Sequence, residues 1–259
     1  MTFTEAQLTA MIASFFWPMV RIGALFVAMP IFGNKQLSTK VKSLLTLMIA
    51  LMLAPVLDPP PLVDVFSGDA VLIMFQQVII GLIMGFSLHM VFGSLAVAGE
   101  MVGYQMKLGM AKMADPINGV PVPIVTTLYL TLAMLIILAL DIHLVLIELL
   151  VDSFKVFPVA VDGLSPDSFW KLVGWGTRMF EIGLVMAMPI VGSILLLDVA
   201  QGYMQRAAQQ FQIFAVGFPI TLLGGMILIW VTLPAVMDNF ILAMDEILQF
   251  IRDELLVRK

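Results

Sequence analysis

Asp141 and His143 stand two residues apart in "LALDIHLVLIELLVDSF". A carboxylate and an imidazole could together pass a proton, provided their side chains meet. On a helix, positions two apart diverge by about 200°, so these two share no face. Their spacing fits the polar end of an apolar segment better than a relay. Glu148 and Asp152 follow at i,i+4, a like-charge pair that belongs in water. Arg178 and Glu181 lie at i,i+3 inside another apolar segment, the spacing of an intrahelical ion pair. Arg21 sits in the middle of "FFWPMVRIGALFVAMPIFG". A charge at that depth costs several kcal/mol unless it faces protein or water. A carboxylate or the carbonyls of a helix end are the expected partners. His89, alone among apolar neighbours, reads as a satisfied interior histidine. No nucleophile–base set, catalytic carboxylate pair, metal-ligand spacing or phosphate-cradling glycine loop emerges. Catalysis, a cofactor and a bound metal are therefore not expected.

The elements that carry these residues are apolar. Of 259 residues 61% are hydrophobic and 12% charged, with a mean hydropathy of +1.06. A soluble domain runs nearer one quarter charged, so the composition reads as an all-α polytopic membrane protein. A net charge of −5 argues against nucleic acid, and the absence of cysteine excludes disulfides and thiol chemistry. The 21 methionines fit adaptable core filler, or a soft surface that seals against changing partners. The N-terminus carries Glu5 where a signal peptide would be basic, so a first helix is expected there, with Thr2 or Thr4 as N-cap.

Six apolar segments stand out, at about 11–32, 43–57, 70–98, 119–147, 169–197 and 211–237. A spanning helix needs roughly 20 apolar residues, and the second segment is short. Pro18 and Pro30 predict a kinked or broken first helix. Lys35, Lys40 and Lys42, then Lys107 and Lys112, then Arg206 put three loops on the cytoplasmic side and the N-terminus outside. Asp198 ends the fifth segment, and Gln201, Gln205, Gln209 and Gln210 after it read as wet. The last stretch predicts an amphipathic tail, with Phe240, Ile241, Met244, Ile247, Leu248 and Ile251 on one face.

One stretch breaks the apolar pattern: "GEMVGYQMKLGMAKMADPINGVPVP", Gly99 to Pro123. Met106, Met110 and Met113 fall at i, i+4 and i+7, a stripe if the region is helical, with Lys107 and Lys112 beside it. Asp115-Pro116 stops such a helix, because proline disfavours αR in the residue before it. A long connection of this kind is either a packed re-entrant loop or a working element.

Several stretches together resemble the FliR family, the R subunits of the flagellar type III protein-export gate, which have relatives in virulence secretion. The N-terminal pattern is Arg21, Ala24, Leu25, Pro30, Phe32, Gly33, Leu37, Ser38, Val41 and Lys42. The central one is Gly99, Glu100, Gly103, Gln105, Met106, Asp115 and Pro116, followed by "DIHLVLIELLVDSFKVFPV". The C-terminal one runs from Phe211 to Gly225 and includes Ile213, Phe214, Gly217, Phe218 and Pro219. Lys107 stands where the family pattern expects glycine, Gln209 where it expects proline, and Gln212 where asparagine is frequent.

The resemblance implies tilted, kinked helical hairpins in one R-subunit domain, a P-like part over about 1–185 and a Q-like part over about 186–259. It implies assembly with FliP and FliQ, with FlhB and FlhA nearby, in the bacterial inner membrane at the flagellar basal body, displaced toward the periplasm. Unfolded flagellar proteins would pass through. It also implies a pore plug made of Met106, Lys107, Leu108, Gly109, Met110, Ala111, Lys112, Met113, Ala114, Asp115, Pro116, Ile117, Asn118, Gly119, Val120, Pro121 and Val122. Arg21, Pro30, Gly33, Gly99, Glu100, Gly103, Gln105, Arg178, Glu181, Phe214, Gly217, Phe218 and Pro219 would be structural. The alternative is a stand-alone secondary transporter whose site is built on Arg21, Asp141, Arg178 and Glu181.

Overall fold

A computed structural model describes residues 5–30, 38–59, 61, 63, 67–108, 124–161, 163–207 and 213–255. The regular elements among them are helices: α1 Glu5–Ala28, α2 Thr39–Leu53, α3 Gly68–Gln105, α4 Ile124–Ala139, α5 Ile142–Val156, α6 Pro166–Ala207 and α7 Ile213–Phe250. A π-helical turn, Ile251–Leu255, closes the described chain. The fold is an all-α polytopic membrane protein.

Local chemistry sets the helix ends. α1 contains Pro18 and stops at Ala28, two residues before Pro30. Ser38 caps α2, its hydroxyl accepting from the Val41 N–H at 3.4 Å. The Ser67 hydroxyl does the same for Ala70 at 3.2 Å where α3 begins. Pro166 opens α6, a position whose N–H would have no helical partner in any case. The proposed caps Thr2 and Thr4 lie outside the described residues.

The apolar segments do not map one to one onto spans. Among the described residues, four helical stretches are long and apolar enough to cross a membrane, and a bent pair, α4 with α5, would make a fifth. That pair breaks between Ala139 and Ile142 with a 71° bend. Asp141 supplies the turn at φ 55, a left-handed backbone that a short polar side chain tolerates. α2, with 15 residues, reaches roughly 22 Å and falls short of the hydrocarbon thickness. α3, with 38 residues, follows a path of roughly 57 Å, nearly twice that thickness.

The C-terminus corrects a boundary. The sixth segment and the expected tail are one helix, α7, because no breaker intervenes and Pro219 and Pro234 are both accommodated inside it. The predicted face is nonetheless there: Phe240, Met244, Ile247 and Ile251 are buried, and Ile241 and Leu248 half-buried.

Two compact units divide the chain. The first comprises Met1–Met90, Ile137–Gly176 and Asp245–Lys259. Trp17 of α1 and Ala70 and Ile73 of α3 are buried together there, with Phe16 edge-on to Trp17 at 5.1 Å. α1 and α3 touch backbone to backbone at Gly81 and Gly85. A methyl at Gly81 would overlap the Arg21 carbonyl, and one at Gly85 would lie 2.6 Å from Ala28 Cβ. Small residues at i,i+4 permit this approach, as is usual between membrane helices. Lys171 Nζ meets Glu254 Oε2 at 3.2 Å and ties the terminal π-turn to α6.

The second unit comprises Val91–Ile136 and Thr177–Met244. Val91, Leu95, Ala98 and Val102 form a fully buried stripe of α3. Phe92 meets Phe240 of α7 edge-on at 5.6 Å, and Gly99 admits Thr126 of α4 where a methyl would come within 2.6 Å of its Cα.

Candidate functional site

In the first unit, Arg21 is fully buried. Its Nε donates to Gln77 Oε1 at 2.8 Å. Nη1 donates to the Ser153 carbonyl at 2.9 Å and to its hydroxyl at 3.1 Å. Nη2 donates to the Phe157 carbonyl at 2.7 Å, and the Phe154 ring lies 3.9 Å from the guanidinium carbon. Ser153 and Phe157 are at the C-terminal end of α5, where partial negative charge gathers; the Ser153 carbonyl also accepts the Phe157 N–H at 2.9 Å. The cation is thus held by a helix end, an amide and an aromatic face, with no carboxylate among its described contacts. Only a planar fork of five donors can meet carbonyls and an amide in one plane.

Asp141 is exposed at the α4–α5 bend, and His143, the second residue of α5, is half-buried. His143 Nδ1 has no hydrogen-bond partner among the described residues. Glu148 is exposed and Asp152 pairs with Lys155 at 2.8 Å. His89 corrects an expectation: it is exposed, because it lies on the same outer face of α3 as Leu82 and Phe86.

In the second unit, three residues of the stretch Met106 to Val122 are described: Met106, Lys107 and Leu108. Met106 follows the end of α3 and is 1% exposed. Its side chain fills the space beside Gly225 of α7, where a methyl would come 2.7 Å from both its Cγ and Cε. Lys107 has φ 60, the backbone of the glycine that the family pattern expects at this position. Its Nζ meets Asp198 Oδ1 of α6 at 2.7 Å, while Gln105 Nε2 reaches Oδ2 at 3.4 Å. Leu108 is half-buried. Gly109 through Val122 lie outside the described residues, as does Gly33.

Of the structural set, Glu100 is exposed, and Gly103 has open space beside it. Pro30 is half-buried. Arg178 and Glu181 pair at 2.9 Å on an exposed face of α6. Phe214, Gly217, Phe218 and Pro219 all lie in the first turns of α7, and the Gly217 carbonyl accepts from Thr221 Oγ1 at 3.0 Å. Gln201 is buried, not wet, since its amide donates to that same Thr221 hydroxyl at 3.1 Å.

Sequence reasoning missed Asp198, Gln77, Ser153 and Phe157 as partners. Each is separated from its cation by 56 to 136 residues, and no periodicity links positions so far apart. Among the described residues no group of three or more His, Cys, Asp or Glu could hold a metal ion.

A sequence model of the bacterial export proteins, family 1, matches residues 12–247. The flagellar biosynthetic protein FliR of Pectobacterium carotovorum is 36% identical over 236 residues, covering 91% of this chain and 90% of that protein. FliR of Escherichia coli K12 is 35% identical over 233 residues, 90% of this chain and 89% of that protein. FliR of Buchnera aphidicola from Acyrthosiphon pisum is 30% identical over 256 residues, 99% of each.

Proposed function

This chain belongs to family 1 of the bacterial export proteins, the family of FliR, and on that premise we propose that it is the R subunit of a flagellar protein-export gate. The similarity to FliR proteins along nearly the whole chain carries the reading. In it, the chain assembles with FliP and FliQ in the inner membrane, beside FlhB and FlhA, around a channel for unfolded flagellar proteins. It works as a structural and gating subunit and not as an enzyme. A P-like part over about 1–185 and a Q-like part over about 186–259 divide the labour, and the assembly stands displaced toward the periplasm.

The structure supports this in two ways. α7 leaves Leu223, Met226, Ile227, Trp230 and Val231 exposed at helical spacing, an apolar face that needs lipid or other subunits to cover it. α6 exposes the Arg178–Glu181 pair amid Phe180, Leu184 and Val185. An ion pair on an apolar helix is far better placed against protein or water than against hydrocarbon.

Residues Met106 to Val122 are assigned the plug. Methionine suits that work, because a flexible thioether fills irregular gaps and yields to a passing chain. Mild detergent extraction of tagged protein tests the assembly: FliP and FliQ co-purify with it, and the chain expressed alone aggregates. Monodisperse protein that moves a small solute across liposomes by itself would overturn the proposal in favour of a stand-alone transporter.

A further inference from the structure

Lys107 holds a conformation that its side chain disfavours. At φ 60 the Cβ crowds the backbone carbonyl, and glycine is the usual occupant. The residue lies two beyond the last helical residue of α3, Gln105, and its N–H donates to the Tyr104 carbonyl at 2.9 Å. That is one hydrogen bond of the left-handed cap with which helices commonly end. A lysine at this place needs an external hold.

Asp198 on α6 supplies one. Its Oδ1 accepts from Lys107 Nζ at 2.7 Å, and its Oδ2 faces Gln105 Nε2 at 3.4 Å. Two donors from the end of α3 therefore converge on one carboxylate. The side chains of Lys107 and Asp198 are 35% and 27% exposed, so this pair is less screened than the open surface pair Lys155–Asp152, at 69% and 37%.

We propose that Asp198 is a positioning residue: it holds Lys107 in the left-handed conformation and so sets the direction in which the chain leaves α3. Glycine at 107 needs no such hold. The role of Asp198 is therefore conditional on the residue at 107, which a merely structural acid would not show. The effect on permeability rests on the plug reading; the effect on melting does not.

The test compares Asp198→Asn, Lys107→Gly and the double variant Lys107→Gly/Asp198→Asn in the full chain, purified with its partners. Asp198→Asn lowers the melting temperature, by on the order of 2–4 °C. The double variant recovers most of that loss, because glycine removes the strain that the ion pair offset. In cells, Asp198→Asn raises inner-membrane ion leakage and the double variant returns it toward the wild-type level. If Asp198→Asn accumulates too poorly to purify, recovery of the membrane level in the double variant gives the same answer. An Asp198→Asn protein that melts like wild type, or a double variant as impaired as Asp198→Asn, overturns the proposal. Recovery in melting with no change in leakage in any variant keeps the positioning role and counts against the plug reading alone.

Discussion

Met106 and Gly225 fit against each other so closely that no side chain could be added to Gly225 without displacing the methionine. Met106 is the first residue of the segment assigned to the plug, yet it is 1% exposed and packed on α7. This end of the segment is an anchor. Gly225→Ala should destabilise the protein by about 1–3 kcal/mol, the usual range for overpacking. Met106→Ala in that background should recover part of the loss. A double-mutant cycle on the melting temperature measures the coupling, and strictly additive effects would refute the contact.

Arg21 cannot be removed cheaply. Arg21→Met leaves the Phe157 carbonyl and Gln77 Oε1 without their Arg21 donor, while the Ser153 carbonyl keeps only the Phe157 N–H. The expected loss is about 3–5 kcal/mol, as when one partner of a buried charged network is deleted. Arg21→Lys keeps the charge and loses the fork, so its loss should be smaller, about 1–3 kcal/mol. Thermal melting of the two purified variants gives the order. Equal stability of Arg21→Lys and wild type would contradict the fork argument.

Gln201 and Thr221 form a polar pair inside an apolar unit. Thr221→Val should cost about 1–3 kcal/mol, because it strands a buried amide. The double variant Gln201→Leu/Thr221→Val should lie closer to wild type, since neither polar group then remains. Melting temperatures distinguish the two cases.

The sequence carried its helices plainly because apolar runs and their breakers are local. Ser38 caps α2, Pro30 follows the end of α1, and Phe240, Met244, Ile247 and Ile251 share a face. The bend at Asp141 was only half legible: the charge marked a polar point, but the left-handed turn that splits α4 from α5 depends on backbone geometry. Distant partners were legible in kind for Arg21, whose expected helix-end carbonyls are there, but not by position. Asp198 read as the wet end of a segment, and nothing at position 198 announces a lysine 91 residues earlier. Lys107 read as a departure from a glycine pattern, and its φ of 60 shows why glycine fits there. His89, among apolar neighbours, and Gln201, among polar ones, were misplaced because a neighbourhood in sequence does not say which side of a helix is covered.

The claim that this chain gates an export channel is tested most directly by deleting residues 107–119 in a strain otherwise wild type. Small-solute leakage across the inner membrane and secretion of flagellar hook protein are then measured together. The account predicts leakage with secretion retained, because a seal is lost while the channel stands. A tight membrane, whether the complex assembles or fails to, would contradict it and make the segment a packing loop.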